Sequence, residues 1–179
     1  MKNDIKEVLF SEEQIKEITQ TLGAKISQDY VGKNPIIVSV LKGSFIFMAD
    51  LVRNVTVPCE IDFMSVSSYG RATSSSGEVK IIKDLDSSIN GRDIILVEDI
   101  LDSGLTLSYI LSVLKKRGAK SIELCTFLNK PSRRKVDVFV KYDGFQIPDE
   151  FVVGYGLDYA DKYRNLPYVG ILKPSVYEK

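Results

Sequence analysis

Residues 94–106 have the sequence IILVEDILDSGLT, in which an apolar run leads into three carboxylates and a turn of small residues. An apolar run without alternation is typical of a strand that is buried on both faces, as in the middle of a parallel sheet. The acids Glu98, Asp99 and Asp102 are therefore predicted at or beyond the carboxyl end of this strand. In an open α/β sheet that end is where ligands bind, and the small residues that follow would begin the next helix.

The rest of the chain alternates between helix and strand patterns around this segment. Helix patterns with caps or stop signals cover residues 11–28, 45–51 and 105–117. Apolar segments of strand length cover residues 36–41, 59–66, 79–82, 94–97, 121–128, 136–140, 151–153 and 168–172. This alternation predicts one α/β domain over residues 1–179, with a largely parallel sheet.

The composition excludes several kinds of site. Lys plus Arg equals Asp plus Glu at 24 each, so no broad basic surface for nucleic acid is expected. The chain has no histidine, which excludes Ser–His and Cys–His nucleophile pairs and every zinc site that contains histidine. There is no signal-peptide pattern and no apolar run of membrane length, so a cytoplasmic location is expected by elimination.

The turn after the central strand suits a phosphate group. Backbone N–H groups at a helix start point at one spot, Ser103 and Thr106 add hydroxyls, and Gly104 lets the backbone come close. Glu98 and Asp99 could accept hydrogen bonds from vicinal sugar hydroxyls or hold Mg²⁺ directly or through water. The pattern therefore predicts a sugar phosphate. The alternatives are simple helix capping by the hydroxyls and a solvated strand end for the two acids.

Residues 97–106, VEDILDSGLT, resemble the phosphoribosyl pyrophosphate signature of the type I phosphoribosyltransferases. Further segments resemble the hypoxanthine-guanine phosphoribosyltransferases in the same order along the chain, namely residues 41–44, 68–69, 130 and 151–159. The resemblance implies the type I fold, in which helices flank a largely parallel central sheet. It also implies a small hood formed by the terminal segments and a mobile lid loop, here over residues 67–77.

The activity that the resemblance implies is transfer of phosphoribose to a purine. The phosphoribosyl group of 5-phosphoribosyl 1-pyrophosphate (PRPP) would pass to N9 of hypoxanthine or guanine, giving IMP or GMP and pyrophosphate. By the family pattern, Asp102 is the catalytic base near N7 of the purine. Glu98 and Asp99 would hold the ribose hydroxyls and Mg²⁺, and Asp158 a second Mg²⁺. The 5-phosphate would be bound by Asp102, Ser103, Gly104, Leu105 and Thr106.

The resemblance also assigns residues to the pyrophosphate. Lys42 and Gly43 would contact it through a backbone turn, and Arg164 through its guanidinium. Ser68 and Tyr69 would lie on the lid. Without the resemblance, Arg164 reads as part of a surface ion pair, Asp158 as a loop cap and the lid as a disordered insertion.

Three residues would form the purine site by the same resemblance. Lys130 would donate to O6 of the base, Phe151 would stack on it, and the backbone of Val152 would read its edge. From the residues alone, Lys130 reads as an exposed lysine of a basic cluster, and Phe151 and Val152 as core residues. Leu105 stands where many relatives carry lysine, so it can contribute its backbone only.

Two other functions remain open at this point. One is a regulator that keeps this fold to sense nucleotides and binds RNA or DNA, against which zero net charge and an intact Asp102 both count. The other is a type I transferase for a pyrimidine or a 6-aminopurine, against which Lys130 counts because an ammonium group can only donate. The resemblance implies a homodimer or homotetramer, with no nucleic-acid or membrane partner.

Overall fold

The structure, a computed structural model, describes residues 1–68 and 79–178. The strands are β1 Ile5–Phe10, β2 Ile36–Leu41, β3 Glu60–Ser68, β4 Val79–Lys83, β5 Asp93–Leu101, β6 Ser121–Asn129, β7 Tyr142–Gln146, β8 Val152–Val153 and β9 Val169–Leu172. The α-helices are α1 Glu12–Asp29, α2 Phe45–Arg53, α3 Leu105–Lys116 and α4 Pro174–Tyr177. None of these helices is long and apolar enough to cross a membrane.

The central sheet has six strands in the order β4-β3-β2-β5-β6-β7. Strand β2 pairs in parallel with β3 and β5, and β5, β6 and β7 continue in parallel across the sheet. Only the edge strand β4 runs antiparallel to its neighbour. The predicted largely parallel sheet is therefore confirmed, and helices pack on both of its faces as expected for this class.

Strand β5 lies in the middle of this sheet and is buried on both faces. Ile94 and Leu96 pack with α3, whereas Ile95 and Val97 pack with α1 and α2, and all four are fully buried. Two buried faces explain why the run is apolar without alternation. The strand is longer than the apolar run, because it continues through the acids to Leu101.

The terminal segments form a separate small sheet. It has the order β1-β9-β8 and is antiparallel, so the first strand of the chain pairs with the last. The amide of Lys173 donates to the carbonyl of Asp4 at 2.9 Å, which joins the two ends of the chain. The predicted hood of terminal segments is confirmed, although β1 itself has no clear strand pattern because its exposed residues, Lys6, Glu7 and Val8, are consecutive and do not alternate with buried ones.

The strand predicted over residues 136–140 is wrong. The seventh strand is Tyr142–Gln146, which pairs in parallel with β6. The apolar pattern of the earlier segment reflects packing of Val138 under α3, while Phe139 is 79% exposed. Its backbone donors do not form a ladder, since the amide of Val136 donates to the carbonyl of Ser103 instead.

The segment predicted as a lid begins inside the sheet. Ser67 and Ser68 are the last residues of β3 and pair with β4. The remainder of the predicted lid, including Tyr69, lies outside the described residues. The role assigned to Ser68 and Tyr69 therefore stays a prediction.

Candidate active site

Three of the residues predicted to bind ligand directly follow neighbouring strands of the central sheet. Strands β2, β5 and β6 are parallel neighbours, so their carboxyl ends meet at one edge of the sheet. Lys42 follows β2, Asp102 follows β5, and Lys130 follows β6. The amide of Lys130 donates to the carbonyl of Leu101 at 2.9 Å, which joins two of these strand ends. Open α/β sheets bind their ligands at this edge.

Glu98 and Asp99 are half-buried near the carboxyl end of β5. Oε2 of Glu98 is buried and has no hydrogen-bond partner among the described residues. Burial raises the pKa of Glu98 well above its usual value, and the charge of Asp99 raises it further. Burial also raises the pKa of Asp99 to about 6. The acids are therefore not a fully solvated strand end, because one oxygen of Glu98 is buried and both side chains are half-buried.

This acid pair fits a divalent cation or sugar hydroxyls. Buried carboxylate oxygens in native proteins normally have a hydrogen-bond donor or a metal as a partner. A divalent cation or a sugar hydroxyl would provide that partner for Oε2 of Glu98. The described residues contain no group of three or more His, Cys, Asp or Glu side chains that could hold a metal. Water and substrate oxygens would therefore supply the remaining ligands, as is usual for Mg²⁺.

The buried carboxyl of Asp99 gives stability a predictable pH dependence. Its pKa rises from 3.8 to about 6 on folding, so between these values the folded state binds more protons than the unfolded state. Stability is lost as pH rises through this window, by up to roughly 3 kcal/mol. We expect Asp99→Asn to raise Tm by several degrees at about pH 7 and hardly at all at about pH 4, measured by thermal unfolding in chelator.

Asp84 provides a control, because its effect on stability should have the opposite pH dependence. Arg117 binds both oxygens of this carboxylate, at 2.5 and 2.7 Å, and holds its pKa below the usual value. The stability that Asp84 contributes is present above its unfolded pKa and is lost as pH falls, so Asp84→Asn should lower Tm near neutral pH and little at about pH 3. A Tm difference for Asp99→Asn that is the same at every pH would contradict the burial argument.

The phosphate turn, residues 102–106, joins β5 to α3. Gly104 is the N-cap residue of α3 with φ 82°, a conformation that strongly favours glycine. A Cβ at Gly104 would lie 2.6 Å from the carbonyl oxygen of Val136. The N-cap residue itself forms no side-chain cap, but Oγ of Ser103 accepts from the amide of Leu105 at 3.4 Å, so the capping interpretation holds in part for Ser103 and not for Thr106. The side chain of Leu105 is exposed, which leaves only its backbone for the turn.

One carboxylate oxygen of Asp102 has no hydrogen-bond donor in residues 1–68 and 79–178. Its Oδ1 is buried and accepts no hydrogen bond within the part of the chain that the structure describes. The nearest cation is Nε of Arg133, 3.2 Å away, without hydrogen-bond geometry. The guanidinium of Arg133 also lies 3.4 Å from Asp149, which in turn is 3.6 Å from Nζ of Lys130. Asp102 and Lys130 thus border the same small network of charges.

The turn after β2 packs directly on Asp99. The Leu41–Lys42 peptide bond is cis. A Cβ at Gly43 would overlap Oδ2 of Asp99, and a Cβ at Gly156 would overlap the carbonyl oxygen of Gly43. Both glycines are therefore needed for this close approach, which places the predicted pyrophosphate turn against the acids of β5.

Asp158 and Arg164 form an ion pair beside this turn. Nη2 of Arg164 lies 2.7 Å from Oδ1 of Asp158, and its Nη1 donates to the carbonyl of Gly156 at 2.7 Å. Oδ2 of Asp158 accepts from the amide of Asp161 at 2.8 Å. The loop cap and the ion pair expected from the residues alone are both present. They also hold Arg164 next to Gly156 and hence next to the pyrophosphate turn.

The predicted purine site has a buried cation and an aromatic wall. Lys130 is 6% exposed and donates to the carbonyl of Glu150 at 2.9 Å, so its interpretation as an exposed lysine is wrong. Phe151 is 38% exposed, which leaves ring surface for a base. It stacks on Tyr177 with centroids 5.0 Å apart and meets the edge of Tyr159 at 5.7 Å. Val152 is buried in β8, so the core interpretation is right for Val152 and wrong for Phe151.

Four side chains near the site are not singled out by any sequence pattern. They are Arg133, Arg134, Asp161 and Tyr177, where Asp161 lies 3.4 Å from Nζ of Lys42. A basic cluster after Lys130 is visible in the sequence, but it looks like any solvated surface run. Tyr177 carries no local signal, because its partner Phe151 is distant in the chain.

Comparisons with known proteins agree with this geometry. A family model described as phosphoribosyl transferase domain matches residues 7–160. The hypoxanthine-guanine phosphoribosyltransferase of Bacillus subtilis is 57% identical over 178 residues, which is 99% of each chain. A Listeria monocytogenes protein named bifunctional protein TilS/HprT is 55% identical over all of this chain, which corresponds to 28% of that protein.

A solved crystal structure is also similar to this chain, in both sequence and fold. The crystal structure of a hypoxanthine phosphoribosyltransferase from Staphylococcus aureus superposes with a TM-score of 0.97 at 54% identity, covering 100% of this chain and 97% of that one. Family model, sequence identity and fold agree over nearly the full length. The chain therefore belongs to the phosphoribosyl transferase domain family and, within it, to the hypoxanthine-guanine phosphoribosyltransferases.

Proposed function

We propose that this chain is a purine salvage enzyme that transfers phosphoribose from PRPP to N9 of hypoxanthine and guanine, giving IMP or GMP and pyrophosphate. The observation that carries the proposal is the joint placement of Asp102 and Lys130. A carboxylate oxygen without a hydrogen-bond donor in the described ranges and a buried ammonium group border one network of charges at the ligand edge of the sheet. A 6-oxopurine needs both a proton acceptor and a donor to O6.

The chemical step divides among the residues as follows. Lys130 donates to O6 and Phe151 stacks on the ring, which orients N9 toward the anomeric carbon. The bond from N9 to that carbon forms, the bond from the carbon to pyrophosphate breaks, and Asp102 accepts the proton from N7. The backbone N–H groups of residues 103–106 hold the 5-phosphate, which keeps the sugar in place.

The proposed metal is Mg²⁺. Glu98 and Asp99 would hold one ion together with the ribose hydroxyls, and Asp158 a second. When bound, Mg²⁺ neutralises charge on the pyrophosphate leaving group. Gly43 and Arg164 contact the same pyrophosphate, Gly43 through its backbone and Arg164 through paired N–H donors.

We propose a single catalytic domain over residues 1–179 that acts in the cytoplasm as a homodimer or homotetramer. Its ligands are PRPP and 6-oxopurines, without a nucleic-acid or membrane partner. The balance of 24 basic and 24 acidic side chains supports the absence of nucleic acid.

The test is turnover with PRPP and Mg²⁺ on hypoxanthine, guanine, xanthine, adenine and uracil, followed by product chromatography. We expect kcat/KM on hypoxanthine or guanine to exceed that on adenine and uracil by at least about tenfold, because Lys130 can only donate. EDTA should lower turnover by about tenfold or more, and added Mg²⁺ should restore it. Preference for adenine or uracil would overturn the proposed specificity, and full activity in EDTA would overturn the metal requirement.

A further inference from the structure

Residues 134–136 pack against the back of the phosphate turn. The amides of Lys135 and Val136 both donate to the carbonyl of Ser103, at 2.9 and 3.1 Å. Nε of Arg134 donates to the carbonyl of Asp102 at 3.1 Å. Three donors from one short segment therefore hold two consecutive carbonyls of the turn.

These contacts determine where the amides of the turn point. In a planar trans peptide the C=O and N–H bonds are antiparallel. Because the carbonyls of Asp102 and Ser103 are held by residues 134–136, the amides of Ser103 and Gly104 point to the opposite side. Neither amide donates a hydrogen bond to another residue in the described ranges. Both are left free for an anion in front of the turn.

The side chain of Arg134 is itself anchored to the central sheet. Nη2 of Arg134 donates to Oδ1 of Asn129 at 2.5 Å, and Nδ2 of Asn129 donates to Oδ2 of Asp143 at 2.9 Å. The other oxygen of Asp143 accepts from Thr126 at 3.1 Å. Asn129 is 8% exposed and both ends of its amide are used, so its orientation is fixed. The relay thus runs from β7 through β6 to the phosphate turn.

The neighbouring arginine is bound quite differently. The side chain of Arg133 is 54% exposed, and its polar partners among the described residues are the carboxylates of Asp102 and Asp149, at 3.2 and 3.4 Å. Exposed ion pairs of this kind contribute little, and they do not constrain the backbone. Arg134 instead binds a backbone carbonyl and a buried amide, which are directional partners.

We propose that Arg134, held by Asn129 and Asp143, is a positioning residue that orients the phosphate turn toward the 5-phosphate of PRPP. The inference rests on the proposed function, because it takes the turn to be the 5-phosphate site. Arg134 acts through the backbone of Asp102 and Ser103. Loss of Arg134 should therefore weaken binding of PRPP more than binding of the purine.

The test compares Arg134→Ala and Arg134→Lys with the wild type. We expect Arg134→Ala to raise the KM for PRPP by about tenfold or more, while the KM for hypoxanthine changes by less than about threefold. Arg134→Lys should recover part of the lost PRPP binding. One ammonium group can donate to the carbonyl of Asp102 or to Oδ1 of Asn129, but it lacks the separate N–H groups with which a guanidinium reaches both. Arg53→Ala, which removes an arginine whose side chain is 80% exposed, is the matched control.

A double-mutant cycle tests the relay itself. Arg134→Ala and Asn129→Ala should be non-additive in the KM for PRPP, since the two residues act as one unit. Thermal unfolding of each variant checks folding. If Asn129→Ala does not fold, the comparison of Arg134→Ala with Arg134→Lys alone tests the positioning role. An unchanged KM for PRPP in Arg134→Ala, or an equal rise for both substrates, would overturn the inference.

Calorimetric titration with PRPP separates this inference from the proposed function. If the wild type binds PRPP but turns over no purine, the proposed function fails, and weaker PRPP binding by Arg134→Ala would still support the positioning role. Equal affinity of the wild type and Arg134→Ala would overturn that role, whether or not purines react.

Discussion

Asp102→Asn is expected to lower kcat by about 10²- to 10³-fold while the KM for PRPP changes by less than about threefold. Asparagine keeps the size of the side chain but cannot accept the proton from N7. The phosphate turn is preserved, because Arg134 binds the main-chain carbonyl of Asp102 and not its carboxylate. Single-turnover measurements at saturating PRPP would isolate the chemical step from product release.

The control for this prediction is Asp86→Asn. Asp86 is an exposed carboxylate that pairs with Lys83 on the edge strand β4, so its loss should leave the single-turnover rate unchanged. If Asp102→Asn reacted at the wild-type rate with chemistry shown to limit turnover, Asp102 would be excluded as the base. If the KM for PRPP rose together with the loss in rate, its carboxylate would also bind PRPP.

Lys130→Met is expected to lower kcat/KM for hypoxanthine by about 10²-fold, with little change in the KM for PRPP. Methionine matches the length of lysine but cannot donate to O6. Because the ammonium group is buried and already oriented by the carbonyl of Glu150, its bond to the base costs little reorganisation. Steady-state kinetics with each substrate varied in turn would measure both constants.

Lys116→Met is the matched control for Lys130→Met. Lys116 lies exposed in the last turn of α3, where loss of its charge should leave both constants unchanged. Equal kcat/KM for hypoxanthine in Lys130→Met and the wild type would remove Lys130 from the purine site. An equal loss on adenine would show that the variant harms the site generally and that Lys130 does not read O6.

The central strand and its turn could be predicted because their signals are local. The apolar run of β5 indicates two buried faces, and the small residues around Gly104 indicate a turn that begins a helix. Periodicity and cap chemistry act over a few residues, so they can be read from neighbours in the chain. The resemblance to a known family added the roles of Lys130, Phe151 and Arg164, which local patterns alone would have assigned to surface or core.

The error at residues 136–140 has a physical cause. Alternating valines look like a strand whether their backbone donors enter a ladder or bind a turn elsewhere. The amide of Val136 binds the carbonyl of Ser103, a contact between residues distant in the chain. The same distance explains why the sequence did not distinguish Arg134 from the exposed Arg133 beside it.

By itself, the sequence determined that a buried parallel strand ends in acids and a turn of small residues at a helix start, because burial and helix starts leave local patterns. The tertiary structure alone decided how that turn is held and what surrounds it. It placed Gly43 against Asp99, buried the ammonium group of Lys130, stacked Phe151 on Tyr177 and braced the turn with Arg134. These contacts join segments far apart in the chain, and their geometry exists only after the sheet has brought the strand ends together.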